Sequence, residues 1–203
     1  MYTGIIHEQG AVATVTLIAD GGLRVTISAA EALTKSIREG SSVNVAGICL
    51  TARDISTNGF SADVMPQTLR RTTAGRWAVG TRVNLETSLR VGDEMGGHVL
   101  YGHIDGAAEV VNRREEGNAV LVTFAPPNTL MKFLAPQGSV AIDGVSLTVV
   151  DCGPATCSVS LIPLTRELTT LGTLAPGEFA NIEVDMMMKY FETIIEARSK
   201  RST

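Results

Sequence analysis

Two short frames in this chain hold side chains that could do covalent chemistry. Gly47-Ile48-Cys49-Leu50-Thr51 offers a thiol and a hydroxyl, and Asp143-Gly144-Val145-Ser146-Leu147-Thr148 offers a carboxylate and two hydroxyls. Cys49 or Ser146 can act as a nucleophile, or help deliver one, if a base stands nearby. Histidine is the natural base near neutral pH. His98 and His103 both fall in the segment GGHVLYGHIDG; His103 is taken as the base, and His98 as a residue that fixes the glycine-rich linker. Cys49 by itself would read as a small buried apolar residue; its alignment with Ser146 argues for more. Two histidines without a third ligand, and Cys152 and Cys157 without a histidine cluster, predict no metal site.

The elements that must position these groups come in two copies. Residues 42–86 lie on 139–183 without a gap, and 16 of those 45 positions are identical. Gly4-Ile5-Ile6 likewise meets Gly102-His103-Ile104. A period near 100 residues is the size of a small domain, so the chain divides into 1–97, 98–186 and a tail, 187–203. Strands are predicted at 11–17, 23–27, 42–45, 50–55, 60–64 and 82–85, and at 107–111, 119–124, 139–142, 147–150, 157–161 and 179–184. Short β-branched runs at this spacing indicate a small antiparallel barrel per copy rather than a βαβ sheet. One short helix per copy is expected, at 29–37 and 128–134, opened by Ser28 and Asn128. From Met186 the pattern becomes helical, with Met187, Tyr190, Phe191, Ile194 and Ile195 on one stripe that would either pack on its own second barrel or, the reading favoured here, serve self-association.

Composition narrows the function class. A net charge of −4 argues against nucleic-acid or anionic-membrane partners. No run approaches the ~18 apolar residues of a transmembrane helix, and the opening MYTGIIHEQG does not read as a signal peptide. Three poorly spaced cysteines fit a reducing, cytoplasmic setting.

The opening MYTGI, GGHVLYGHIDG, the GICLT and DGVSLT pair, and IPLTRELTTLG together resemble the riboflavin synthase family of the alpha-chain type, over essentially the whole chain. The resemblance implies an all-β fold: two homologous six-stranded antiparallel Greek-key barrels of the flavin-binding split-barrel type, plus a C-terminal α-helix, assembled as a homotrimer. It implies a transferase that dismutates two molecules of 6,7-dimethyl-8-ribityllumazine by moving a four-carbon unit. The products are riboflavin and 5-amino-6-(D-ribitylamino)uracil, made without a cofactor in the final step of riboflavin biosynthesis. Lumazine synthase is implied as a further partner. Donor and acceptor being the same molecule, two related pockets can hold them head to tail, the facing pockets coming from neighbouring subunits. Positioning of this kind can reach effective molarities of ~10⁵ M or more.

By the same resemblance Cys49, His103, Ser146, Thr148 and Asp143 carry the chemistry. Substrate contacts on the first side fall to Gly4, Ile5, Ile6, Asp63, Val64, Met65, Thr68 and Ile104, and on the second side to Ile162, Pro163, Thr165 and Asp185. Cys49, Leu50, Thr51, Pro66, Gln67, Gly102, His103, Gln137, Ser146, Leu147, Thr148, Leu164, Arg166 and Glu167 complete the implied contacts. Several of these would serve through backbone N–H and C=O. The chain departs from the family pattern at Tyr2, where Phe is usual and a stacking ring is retained, and at Gln67 and Gln137, where Glu and Lys are usual. Two other readings are weaker. Lumazine proteins resemble the same duplicated fold but would be expected to lose the Cys, His and Ser constellation. A flavin-dependent reductase would need a nicotinamide domain, and GDEMGGH does not open a helix after a strand.

Overall fold

Strand formation follows from alternating burial. In Ala119–Ala125, AVLVTFA, every second side chain is buried, as a strand with one face on a core requires. In a computed structural model that describes residues 1–199, the first copy contains β1 (Glu8–Leu17), β2 (Leu23–Ser28), α1 (Glu31–Ser36), β3 (Ser42–Val45), β4 (Ile48–Thr51), β5 (Arg53–Ser56), β6 (Gly59–Val64), α2 (Pro66–Arg71) and β7 (Arg82–Thr87). The second contains β8 (Gly106–Glu116), β9 (Ala119–Ala125), β10 (Ser139–Ile142), β11 (Val145–Cys152), β12 (Cys157–Leu161), α3 (Pro163–Leu168) and β13 (Phe179–Val184), and is followed by α4 (Met186–Ser199). Residues 200–203 of the expected tail lie outside the described residues.

The second copy is a closed antiparallel barrel in the order β10-β11-β12-β9-β8-β13. The first is a sheet in the order β4-β3-β7-β1-β2-β6-β5. Its two end strands are halves of one strand, expected whole at 50–55 and interrupted at buried Ala52, whose N–H turns to Ser41 O at 2.8 Å. Val149, at the aligned position, makes the same turn to Gly138 O, but β11 continues through it across a register shift. The duplicated all-β architecture with a C-terminal helix is therefore as predicted. Three local expectations differ. The 128–134 segment is a 3-10 turn (Asn128–Phe133) behind Pro126-Pro127, too short to propagate an α-helix. Ser28 stays in β2, its Oγ donating to Ala11 O, and α1 starts at Glu31. Helices α2 and α3 were not anticipated. Each opens with proline at its first turn and closes where Thr72 or Thr169 donates its hydroxyl back to Thr68 O or Thr165 O, at 2.7 Å in both.

The two copies exchange their leading segments. Ile6 packs into the core of the second barrel, and Ile104 into the core of the first. Burying each such side chain contributes roughly 1.5–3 kcal/mol. Tyr2 and Leu100 pair where the segments cross, with Tyr2 N–H to Leu100 O at 2.8 Å and Leu100 N–H to Tyr2 O at 3.0 Å. A second reciprocal set closes the seam between β7 and β13. Asn84 Nδ2 donates to Asp143 O and its Oδ1 accepts from Thr170 N; Asn181 Nδ2 donates to Ala46 O and its Oδ1 accepts from Thr73 N.

Asp143 sits in this seam with its carboxylate accepting the Asn181 N–H at 2.7 Å. Burial pushes its pKa up to about 7, against the opposing effect of that hydrogen bond. The folded state then holds a proton the unfolded chain has released. This group stabilises the fold fully below pH ~4, and that stability is lost as pH rises to about 7. Asp143→Asn removes the titration. Urea unfolding across pH 4–8 is expected to show the variant gaining on the parent between pH 4 and 7, by on the order of a few kcal/mol, and a constant difference above that. Parallel curves would contradict a buried, proton-holding carboxyl.

Candidate active site

Each nucleophile-capable side chain stands on the strand of one copy and is roofed by the glycine turn of the other. Ser146 lies near the start of β11, and its backbone N–H donates to Gly4 O at 2.9 Å; Cys49 lies in β4, and its N–H donates to Gly102 O at 3.1 Å. Gly4 and Gly102 have φ of 76° and 74°, and a Cβ on either would stand 2.6 Å from Ser146 Cβ or 2.5 Å from Cys49 Cβ. Glycine is required at both on two counts, the left-handed backbone and the close approach. Beneath each turn a buried carboxylate gathers the amides. Glu86 accepts from Thr3 N, Thr3 Oγ1 and Gly4 N, and Glu183 accepts from Tyr101 N and Gly102 N. Burial raises the pKa of both glutamates, and these donors oppose the rise.

The predicted partition of residues changes accordingly. Gly4, Ile5 and Ile6, expected on the first side, belong with Ser146; Gly102, His103 and Ile104 belong with Cys49. The side chains of Ile6, Ile104, Leu50 and Val64 are in the cores, so what they can offer a ligand is backbone. Exposed Met65 and Ile162, in matching places ahead of α2 and α3, can offer an apolar face, as can Leu164. Thr51, Asp63 and Arg53 line an open cleft of about 440 Å³ beside β4. The Asp63 carboxylate is committed there to Arg24 at 2.7 Å and Arg53 at 2.8 Å, and the Arg24 bond above all holds its pKa below the ordinary value. On the other side Thr148 and Gln137 are exposed, Leu147 packs partly on the core, Arg166 faces Glu115, and Glu167 O accepts from Gln9. Pro66 and Pro163 start their helices, Gln67 is exposed, and the carbonyls of Thr68 and Thr165 are occupied as described.

Three expected site residues are placed differently from what the sequence suggested. The imidazole against Ser146 is His98, with Nδ1 2.6 Å from Ser146 Oγ; His103 is exposed and stacks on Tyr101 with ring centroids 5.9 Å apart. Asp143 makes no hydrogen bond to Ser146, Thr148 or His98 among the described residues; it belongs to the seam, where it also lines a groove with Trp77 and Phe179. Tyr2 presents no ring for stacking: it is fully buried, and its hydroxyl donates to Cys49 Sγ at 3.1 Å. Spacing along the chain favoured His103, because GHI aligns with GII; the curl of residues 97–99 over Thr3 and Ser146, which brings His98 in, leaves no trace in that alignment.

The electrostatics suit proton abstraction at Ser146. Burial lowers the pKa of His98, with Asp185 pulling the other way, so the imidazole is neutral near pH 7 and able to accept a proton. Asp185 meanwhile caps α4, its carboxylate accepting the Met187 N–H at 2.9 Å.

Comparison with known proteins matches the duplicated fold. The lumazine binding domain family model matches twice, at residues 3–88 and 101–185. Riboflavin synthase of Mycobacterium tuberculosis is 39% identical over 201 residues, covering 97% of this chain and 99% of its own length. Riboflavin synthase of Bacillus subtilis is 36% identical over 203 residues, covering 100% and 94%. The solved structure of LumP complexed with riboflavin superposes with a TM-score of 0.84 at 28% identity, covering 91% of this chain and 100% of that one. LumP complexed with 6,7-dimethyl-8-(1'-D-ribityl) lumazine gives 0.82 at 26%, covering 91% and 99%.

Proposed function

This chain belongs to the riboflavin synthase family of duplicated lumazine-binding proteins, and from that premise we infer how its two sites divide the work. The reaction is the conversion of two 6,7-dimethyl-8-ribityllumazines to riboflavin and 5-amino-6-(D-ribitylamino)uracil by four-carbon transfer. The observation that carries the reading is the pair of matching sites, each roofed by a glycine turn and each holding a different reactive side chain. One lumazine sits in each kind of site, its pyrimidine edge on backbone N–H and C=O and its rings against Met65 or Ile162. In the second site Ser146, or a water held by it, gives its proton to His98 as it adds to the lumazine. In the first, Cys49 supplies the corresponding contact, with His103 beside it.

The two sites that react together come from neighbouring chains, assembled as a homotrimer in the cytoplasm. What supports association is the orientation of α4. Its polar face meets its own barrel through Lys189–Asp105 at 2.7 Å and through Lys132 with Glu192. Its apolar stripe, Met187, Tyr190, Phe191, Ile194 and Ile195, is turned to solvent, each side chain more than half exposed. Among the described residues no helix is long and apolar enough to cross a membrane.

Purified protein given the lumazine alone is expected to form riboflavin at one per two lumazines consumed, with no added cofactor. Binding with lumazine fluorescence and no flavin would instead identify an antenna or storage protein. Turnover should fall as pH drops through the lowered pKa of His98, below the ordinary histidine value, because the protonated ring cannot accept the Ser146 proton. His98→Gln keeps a hydrogen bond but no base, and should lose about 10²-fold in kcat together with that acid limb. An intact limb in the variant would assign it to another group. Replacing Phe191 and Ile195 together by Asp should yield a smaller species by analytical ultracentrifugation that still binds lumazine but turns over poorly; unchanged mass would exclude α4 as the contact.

A further inference from the structure

Ser146 and Cys49 occupy matching positions, yet their second partners differ in kind. Ser146 faces an imidazole able to accept its proton, whereas Cys49 faces a phenol that donates a hydrogen bond to it. We infer that Tyr2 is a positioning residue for Cys49, its hydroxyl fixing the sulfur and favouring negative charge on it during the reaction. The inference rests on the reading that Cys49 takes part in turnover.

The placement of Tyr2 brings its hydroxyl to Cys49, with the Ser88 side chain as its other hydrogen-bonding neighbour. Its backbone N–H and C=O are both bonded to Leu100, and its ring is fully buried against Leu100 and Ala141. Burial, and next the bond to Cys49, raise the phenol pKa far above its ordinary value, so the oxygen keeps its proton and remains a donor. Cys49 is held from the other side by its backbone bond to Gly102 O. With Tyr2 occupying a lone pair of the sulfur, the thiol's own proton must point elsewhere, and a donor aimed at sulfur stabilises negative charge as it develops there during attack. The first site then has a pinned, donor-assisted sulfur where the second has an acceptor-assisted oxygen. The second copy has no equivalent phenol, since Leu100 stands where another Tyr2 would be.

Tyr2→Phe deletes the hydroxyl and keeps the ring. Alkylation of Cys49 by iodoacetamide, followed by peptide mass spectrometry at fixed pH, is expected to slow about 3- to 10-fold. Cys157, buried and pushed up to about 12, serves as the unreactive internal control. In parallel, kcat for riboflavin formation should fall by a similar factor with KM unchanged, and the same substitution made on Cys49→Ala should leave kcat where that variant already is. An unchanged alkylation rate, or an equal loss of kcat in both backgrounds, would overturn the assignment. Should Tyr2→Phe fold poorly, 3-fluorotyrosine at position 2 gives a stronger donor, and alkylation must then speed up. A parent protein that makes no riboflavin would refute the functional reading, while the alkylation rates would still decide the Tyr2–Cys49 contact.

Discussion

The carbonyl groups of Gly4 and Gly102, each laid across the junction onto a backbone N–H of the other copy, are the contacts from which the rest follows. They exist only because both residues are glycine in a left-handed turn, and because Glu86 and Glu183 gather the amides behind them. Those carboxylates are buried at a cost that their hydrogen bonds offset, so each turn is rigid. With the turns in place, Ile6 and Ile104 enter the opposite cores, and neither barrel is complete without the other's leading segment. The reactive side chains are built at that crossing. A duplication could have left two independent domains; exchange instead makes each site a product of both copies.

The exchange imposes similarity on the backbone and leaves the side chains free to diverge. Cys49 and Ser146 share a strand position and a glycine roof but differ in what reaches them. His98 arrives from the linker between the copies and reaches Ser146 from there. Tyr2 arrives from the leading segment, and its counterpart is Leu100. The cleft beside β4 carries the Arg24–Asp63–Arg53 cluster, whereas the aligned positions in the second barrel, Val150 and Ser160, carry none of that charge. One scaffold thus holds one kind of molecule in two environments, which a reaction between identical partners requires if they are to play different parts.

Much of this was legible in the sequence, and the remainder has identifiable reasons. The duplication, the strands at 42–45, 139–142, 157–161 and 179–184, and the helix from Met186 depend on local patterning, and they appear where the residues place them. The frames around Cys49 and Ser146 were visible because the repeat aligns them. What stayed hidden was set by contacts between distant segments. The gapless repeat suggests two separate halves, since exchange changes which copy a residue packs on without changing any residue. Helices α2 and α3 are a turn and a half long, below the length at which periodicity speaks. Asp143 looked catalytic because it precedes Ser146 in a reactive frame; its left-handed turn, φ 45°, instead directs it into the seam, as the turn at Ala46 does in the first copy. Tyr2 looked like a stacking ring because its burial at the crossing depends on Leu100, nearly a hundred residues away.

The orientation of α4 ties association to the second site. A terminal helix that packs on its own domain normally turns its apolar stripe inward, and here ion pairs hold the polar side inward. The Lys132–Glu192 pair is half-exposed on its lysine side and contributes only about 0–1 kcal/mol, the Lys189–Asp105 pair is mostly buried, and burying each large apolar side chain contributes roughly 1.5–3 kcal/mol. The helix is therefore held to its own chain by polar contacts, and its apolar stripe is left to the solvent. Its first turn is capped by Asp185, the carboxylate whose field reaches His98. The cap of α4 and the environment of the imidazole against Ser146 thus share one side chain, Asp185.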